Sequence, residues 1–176
     1  MREKMKVCAV ICELNPLHKG HQALFAHAKS RFGGLVCVLS GNFVQRGEPA
    51  ILDKWDRARL ALESGADLVL ELPLSWALAG AERFAAGGVA LARALGCVDT
   101  LLFGSEEGDI QPLWRLAQTL LSPEFPQALQ QVEPTLPFAR RRQRAAAHLV
   151  GEETAALLEK PNCILGVEYL KAILSQ

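Results

Sequence analysis

Val7-Cys8-Ala9-Val10-Ile11-Cys12-Glu13-Leu14-Asn15-Pro16-Leu17-His18-Lys19-Gly20-His21 is the stretch that decides the fold. Its first six residues are apolar and predict a buried strand. Asn15 and Pro16 predict a turn, and the residues that follow predict the start of a helix. The carboxyl end of a strand is therefore joined to the amino end of a helix by one short turn.

His18, Gly20 and His21 lie at this helix start and predict a phosphate-binding site. The first turn of a helix has unpaired N–H groups and partial positive charge, which favour bound phosphate. Gly20 has no Cβ to keep a ligand away. His18 and His21 are three residues apart, so they project on nearly the same side and can donate hydrogen bonds. We predict that they bind the phosphates of ATP; the alternative is that they only cap the helix.

Four apolar runs along the chain predict a parallel sheet. They cover residues 6–12, 35–40, 68–72 and 100–103, and they alternate with predicted helices at 21–31, 53–64, 76–95 and 110–121. Because the runs at 36–39 and 68–70 contain no alternating polar residues, we expect strands buried on both faces. The predicted fold class is α/β, a Rossmann-like doubly wound parallel sheet, with ligands at the carboxyl edge of the strands.

The chain changes character after Leu121. Pro123, Pro126, Pro134 and Pro137 divide the remainder into short helical pieces. We predict one catalytic domain over residues 1–176, with a sheet core at about 1–121 and a helical C-terminal appendage at about 122–176. This length suits a single globular core.

The charge is balanced, with 19 basic and 19 acidic residues, so no global field attracts nucleic acid or a membrane. Any RNA contact must be local. Arg140, Arg141, Arg142 and Arg144 lie together in a predicted helix and are candidates for contact with tRNA phosphates. The alternative is an ordinary solvated helix face.

The five cysteines form no C-x-x-C motif, and three of them lie in apolar runs. We expect buried thiols in a reducing cytoplasm, with neither a disulfide nor a metal site such as zinc. The apolar stretch near the start ends at Glu13, too early for a signal peptide or a membrane span. The predicted location is cytoplasmic, without membrane contact.

Polar residues follow the second predicted strand. Ser40, Asn42, Gln45 and Arg46 are candidates for an acceptor pocket, in which Arg46 could fork onto a carboxylate or phosphate. Alternatively, Arg46 pairs with Glu48 or Asp53 and fixes the loop. Asp53 is a candidate N-cap. The two basic residues after it, Lys54 and Arg57, could face the nucleotide or lie on the surface.

Three further positions are candidates. Glu82 is a rare charge in an Ala- and Gly-rich segment, so it is a rim residue of the acceptor pocket or a paired one, with simple solvent exposure as the alternative. Gly104 and Ser105 could approach a ribose, with a helix cap at Ser105 as the alternative. Asn162 could cap the last helix or contact an adenine edge.

Together these segments resemble the tRNA(Met) cytidine acetate ligases of the HIGH-type nucleotidyltransferase superfamily. The matching blocks, in chain order, are residues 13–21 (ELNPLHKGH), 40–50 (SGNFVQRGEPA), 53–55 (DKW), 67–73 (DLVLELP), 103–106 (FGSE) and 162–166 (NCILG). Their order and spacing along almost the whole chain make the resemblance specific.

The resemblance implies that ATP activates acetate as acetyl-adenylate, with release of pyrophosphate, and that the acetyl group passes to the wobble cytidine of elongator tRNA(Met). It implies Mg²⁺ on the triphosphate. The implied ATP-binding residues are Ile11, Cys12, Glu13, Asn15, Pro16, His18, Gly20, His21, Leu24, Gly104, Ser105 and Asn162. His18, His21 and Arg46 are expected to be catalytic, and Ser40, Asn42, Gln45, Arg46 and Glu82 to form the acetate pocket.

The sequence departs from the family in two respects. Its members continue past Gln176, where a Ser/Thr-rich second signature ending in a basic residue would follow, so we expect reduced or lost activity. Leu14 and Leu17 stand where many relatives have aromatic residues. Two other functions stay open: a nucleotidyltransferase acting on a phosphorylated small molecule, and a non-catalytic nucleotide- or RNA-binding module. The sequence defines no oligomeric state.

Overall fold

The computed structural model describes residues 5–176, which form two compact units. The first ends at Gly104 and the second covers Ser105–Gln176. The first unit contains a four-stranded sheet in the order β3-β2-β1-β4, in which every neighbouring pair is parallel. Its strands are β1 (Val7–Cys12), β2 (Gly34–Ser40), β3 (Leu68–Leu72) and β4 (Thr100–Leu101). The predicted parallel α/β sheet is confirmed.

Helices cover both faces of this sheet. They are α1 (Lys19–Arg31), α2 (Lys54–Glu63), α3 (Leu74–Ala77) and α4 (Ala81–Ala94). On one face, Phe25 and Ala28 of α1 and Ala61 of α2 pack against alternate residues of β1 and β2. On the other face α4 lies so close to β1 that a Cβ on Gly88 would be 2.6 Å from Ile11. The fold is therefore doubly wound, as predicted.

The strand order places the ends of β1 and β4 at the switch point, where the chain turns from one half of the sheet to the other. The turn before α1 follows β1, and Gly104 follows β4. Ligands of doubly wound sheets bind in this crevice. The fold thus places both segments at the edge where the sequence predicts the site.

β3 differs from the prediction. Strands β1 and β2 are buried along their whole length, but Leu68 is 41% exposed and Glu71 is also exposed. Within the described sheet β3 is an edge strand, paired with β2 alone. The prediction that the run at 68–70 is buried on both faces is wrong, because an apolar run does not specify whether its strand is central or at an edge.

The segment predicted as one helix at 76–95 is divided. α3 ends at Ala77, and α4 begins at Ala81 after the extended residue Gly80. The ring of Trp76 packs where a side chain on Gly87 would otherwise lie, so the break folds α3 back onto α4. α1 also starts earlier than predicted, at Lys19, and β4 ends at Leu101.

The second unit contains only helices: α5 (Ile110–Leu121), α6 (Glu124–Gln131), α7 (Phe138–Val150), α8 (Glu152–Ala155) and α9 (Pro161–Leu174). α5 packs against α9 and α7, within the unit that begins at Ser105. A single domain over the whole chain stays a prediction. Within residues 5–176, no helix is long and apolar enough to cross a membrane.

Candidate functional site

The turn between β1 and α1 has an unusual backbone. Leu14 has a φ of 49°, in the left-handed region that a bulky residue rarely adopts, and its side chain is fully buried in the core. The Asn15–Pro16 peptide that follows is cis. Oδ1 of Asn15 accepts a hydrogen bond of 2.7 Å from the N–H of Ile51. The turn is thereby fixed to the segment that precedes α2.

His18 and His21 cap α1 reciprocally. Nδ1 of His18 accepts the N–H of Gly20 at 3.1 Å, and the N–H of His18 donates to Nδ1 of His21 at 3.3 Å. The two rings stack, with centroids 3.7 Å apart and planes inclined by 27°. The prediction that they lie on one side of the helix start is confirmed, and so is the capping that the sequence offered as the alternative.

This capping fixes the proton positions. An Nδ1 that accepts an N–H carries no proton, so each neutral imidazole has its hydrogen on Nε2. The pKa of His21 is lowered to about 4, first by burial and then by His18, so its ring is neutral at physiological pH. Each ring is left with one Nε2–H that the capping interaction does not use. Capping and phosphate binding are therefore compatible.

Gly20 leaves space for the His18 ring. A Cβ on Gly20 would lie 3.0 Å from Cε1 of His18 and 3.1 Å from its Nδ1, so the ring would have to shift by a few tenths of an ångström. Without that Cβ, the His18 ring folds back over the first turn of α1. The motif therefore works as a unit, in which the glycine leaves space for the ring that caps it.

The loop after β2 forms a short hairpin. The N–H of Val44 donates to the Glu48 carbonyl and that of Ala50 to the Asn42 carbonyl, both at 2.9 Å. At its tip, Arg46 is exposed and has a φ of 70°. The structure of residues 5–176 contains neither of the ion pairs offered as the alternative, with Glu48 or Asp53. The exposed side chain of Arg46 thus extends from a residue with a strained backbone conformation.

Glu13 connects the turn and this loop. Its Oε1 accepts the N–H of Gln45 at 2.6 Å. Burial raises the pKa of the Glu13 carboxyl, and the Gln45 bond and nearby Arg57 partly oppose this rise. Two buried polar atoms, Oγ of Ser40 and Nε2 of Gln45, have no hydrogen-bond partner within the described chain. A buried polar atom without a partner lowers the free energy of unfolding unless water or a ligand forms a hydrogen bond with it.

Asn42 and Lys54 have structural contacts. Oδ1 of Asn42 accepts the N–H of Lys54 at 2.9 Å. This bond uses only the oxygen of the Asn42 amide and not its NH₂ group. The Lys54 ammonium pairs with Glu71 at 2.6 Å. Asp53 caps α2 as predicted, accepting the N–H groups of Trp55 and Asp56. Glu82 is exposed in the first turn of α4.

Arg57 is the residue whose position the sequence does not predict. It is 0% exposed, and it donates three hydrogen bonds to backbone carbonyls. Nε contacts Leu52 at 3.1 Å, Nη1 contacts Glu13 at 2.6 Å, and Nη2 contacts Gly41. Burial lowers its pKa, and Glu13 opposes this. The available signal was its helical spacing, because Arg57 is four residues before the fully buried Ala61.

In the second unit, Glu106 caps α9. Its carboxylate accepts the backbone N–H of Asn162 at 3.2 Å, the Asn162 side-chain amide at 3.1 Å and the N–H of Cys163 at 3.0 Å. Burial acts to raise the pKa of Glu106, but hydrogen bonds from its own backbone N–H and from Asn162 and Cys163 outweigh burial and lower the pKa. Asn162 is itself no N-cap, since Lys160 occupies that position. Glu106 is therefore the capping residue that sequence spacing does not reveal.

Ser105 is not a helix cap, so the alternative offered for it is wrong. Its Oγ accepts the N–H of Glu107 at 3.0 Å and lies 3.2 Å from Sγ of Cys163. The N-cap of α5 is Asp109. Ser105 instead stabilises the turn that carries Glu106 toward α9.

The four arginines of α7 separate into two pairs. Arg140 is 67% exposed, with its guanidinium 3.7 Å from Glu159, and Arg144 is also exposed. Arg142 pairs with the carboxylate of Glu168, which is 1% exposed and also binds Lys171 at 2.8 Å. Arg141 extends toward the Leu129 carbonyl. The alternative of an ordinary solvated helix face therefore applies only to Arg140 and Arg144.

Comparisons with known proteins identify the family of the chain. The family model described as HIGH Nucleotidyl Transferase matches residues 5–176. The tRNA(Met) cytidine acetate ligase of Caldanaerobacter subterraneus is 45% identical, with 96% of this chain and 44% of the relative covered. For the ligase of Acetivibrio thermocellus the identity is 44%, with 96% and 42% covered.

A solved structure is similarly close. The crystal structure of Thermotoga maritima TmcAL bound with alpha-thio ATP superposes with a TM-score of 0.92 at 40% identity. The match covers 97% of this chain and 44% of that one, so the chain spans less than half the length of the relatives it matches. The resemblance predicted from the motifs is confirmed. The chain therefore belongs to the HIGH nucleotidyl transferases, and within them it is similar to the tRNA(Met) cytidine acetate ligases over almost its whole length.

Proposed function

We propose that this chain binds ATP and activates acetate as acetyl-adenylate, for transfer of the acetyl group to the wobble cytidine of elongator tRNA(Met). The observation that carries the proposal is the pair of capping imidazoles at the start of α1, each with a free Nε2–H at the carboxyl edge of the sheet. The relatives and the ATP analogue in the similar crystal structure support it.

The chemistry requires hydrogen-bond donors at the leaving group. An acetate oxygen attacks the α-phosphorus, the bond to the bridging oxygen of pyrophosphate breaks, and negative charge grows on the leaving group. The Nε2–H groups of His18 and His21 can stabilise that charge without giving up a proton. The partial positive charge of the helix start adds to this. Mg²⁺, when bound to the triphosphate oxygens, would neutralise further charge.

The remaining proposed ATP contacts are Ile11, Cys12, Glu13, Asn15, Pro16, Gly20 and Leu24 in the β1–α1 segment. Glu13, Asn15 and Gly20 are held by the hydrogen bonds of the turn and the cap, which supports this part of the set. Gly104, Ser105 and Asn162 stay predicted contacts of the adenosine.

The acetate pocket is proposed at Ser40, Asn42, Gln45, Arg46 and Glu82. Support comes from the unpartnered donors: the hydroxyl of Ser40, which is 1% exposed, and the amide of Gln45 both have hydrogen-bonding capacity that a carboxylate could satisfy. The exposed guanidinium of Arg46 adds a positive charge suited to a carboxylate. Arg140 and Arg144 are the proposed contacts for tRNA phosphates.

The deciding experiment is exchange of labelled pyrophosphate into ATP. With MgATP, we expect acetate to stimulate exchange and phosphorylated small molecules to have no effect. Stimulation only by a phosphorylated acceptor would overturn acetate as the substrate and favour another nucleotidyltransferase. ATP binding measured by calorimetry, with exchange absent under any acceptor and still absent when the downstream segment of the relatives is added, would instead favour a binding module.

A further inference from the structure

Arg57 places a buried positive charge beneath the carboxyl edge of the sheet, and its three hydrogen bonds go to backbone carbonyls and not to a carboxylate. Buried guanidinium groups are usually paired with an acidic group, because an uncompensated buried charge costs free energy. Resting on the function proposed above, we infer that Arg57 is a positioning residue of the nucleotide site. It holds the turn before His18 and the loop after β2 at a fixed separation.

The three carbonyls come from three separate segments. Glu13 follows β1, Gly41 follows β2, and Leu52 precedes α2. A guanidinium is planar and rigid, so one side chain fixes all three segments relative to one another. A lysine ammonium carries the same charge on a flexible stem and cannot reproduce the fork, by which we mean the three hydrogen bonds of the Arg57 guanidinium. The proposed role therefore depends on the shape of the arginine head group as well as on its charge.

The segment that Arg57 holds is strained. Leu14, directly after Glu13, keeps a left-handed backbone with a bulky, fully buried side chain. Such conformations persist only where the surroundings enforce them, and they concentrate at functional sites. The bond from Arg57 to the Glu13 carbonyl is one of the enforcing contacts. If this bond is lost, the turn can relax, and the relaxation reaches His18 through the four residues between Glu13 and His18.

Small displacements at this point have large effects. Binding groups must be held within about 0.5 Å of their productive positions, and a shift of about 1 Å can cost roughly a hundredfold in rate. The same fork holds the start of the loop that carries Gln45 and Arg46. Loss of the fork should thus weaken nucleotide binding although Arg57 itself is enclosed by protein.

The test compares Arg57→Lys with Arg59→Lys. Arg59 is an exposed residue two positions along α2, paired with Asp56 and Glu63, so it is a matched control. MgATP affinity is measured by calorimetry at a temperature at which circular dichroism shows each variant to be folded. We expect Arg57→Lys to weaken binding at least tenfold and Arg59→Lys to change it less than twofold. A folded Arg57→Lys with affinity within twofold of the unmodified chain overturns the inference alone.

A measurement on the unmodified chain covers the case in which Arg57→Lys does not fold. We expect saturating MgATP to shift the Nε–H resonance of Arg57 and slow its exchange with solvent, and to leave that of Arg59 in place. An unmoved Arg57 resonance, while the His18 imidazole signals shift, overturns the inference. If the unmodified chain shows neither binding heat nor any shift, the proposed ATP function fails, and the inference fails with it.

Discussion

His18 and His21 hold each other in place: the backbone N–H of His18 donates to Nδ1 of His21, and the two rings stack 3.7 Å apart. Because both Nδ1 atoms accept backbone N–H groups, the free donors of the pair are the Nε2–H groups. Each histidine therefore has a structural and a proposed functional atom in the same ring. These two contributions can be separated by substitution.

His18→Asn should separate capping from phosphate binding. Asparagine is a good N-cap, so the free energy of unfolding should stay within about 0.5 kcal/mol of the unmodified value, whereas His18→Ala should lose about 1 kcal/mol. Both variants lack Nε2–H, and pyrophosphate exchange should fall about 10²- to 10³-fold in each. Exchange rates and urea unfolding of the two variants are compared. Unchanged exchange in His18→Asn would remove the imidazole from the mechanism.

Gly20→Ala should weaken ATP binding without a matching loss of stability. The new methyl group would lie 3.0 Å from Cε1 of His18 and displace the ring, while alanine raises helix propensity by up to about 1 kcal/mol. We expect a roughly tenfold weaker Kd for ATP, in line with loss of one well-placed contact. The control is a double-mutant cycle with His18→Ala. If Gly20→Ala weakens binding equally in both backgrounds, the methyl group acts on the ligand and not on the ring.

Acidification should remove the stability that neutral His21 contributes. Because burial and His18 lower its folded pKa to about 4, this contribution is fully present above the unfolded value of about 6.5. It is lost as the pH falls through the folded pKa. In His21→Gln, an amide oxygen can still accept the His18 N–H, but it does not titrate.

We therefore expect the drop in unfolding free energy between pH 7 and pH 4 to be smaller in His21→Gln, by on the order of 1 to 2 kcal/mol given the partial exposure of the ring. His27→Gln, at an exposed site of the same helix, should retain the full drop. Urea unfolding at a series of pH values measures the difference. Equal drops in all three proteins would contradict the depressed pKa.

Replacing Arg140 and Arg144 by glutamine should flatten the salt dependence of tRNA binding. If each arginine neutralises one phosphate, the slope of log K against log salt should decrease by about 0.7 to 0.9 per residue. Arg59→Gln is the control, since Arg59 is exposed in the first unit. Arg142 is excluded because its loss would leave the buried Glu168 with Lys171 alone. An unchanged slope would identify these arginines as an ordinary solvated face.

The parts of the fold that local patterns specify are predicted well. β1 and β2 follow from continuous apolar runs, and the cap at Asp53 follows from residue type. The exposure of β3 does not, because only the strand order makes it an edge in the described sheet. The break at Gly80 does not either, since an isolated glycine is compatible with a continuous helix.

In the candidate site, too, local sequence predicts some residues, and contacts between distant residues determine the others. His18, Gly20 and His21 are neighbours in sequence, and their spacing predicts their geometry. Glu106 contacts Asn162 across 56 positions, and Arg57 contacts Glu13 across 44. No local spacing encodes such pairs. Arg57 is hidden for a further reason: a charged residue near a helix start is usually on the surface, and burial here depends on carbonyls from three segments.

The left-handed backbone of Arg46 sets folding against chemistry at one position. Glycine would adopt that conformation without steric cost, so a screen that rewards folding alone should favour Arg46→Gly. The same change would discard the guanidinium. Selection for stability would then favour glycine at this position, and selection for turnover would favour arginine. The residue that is retained would show which of the two selections is stronger.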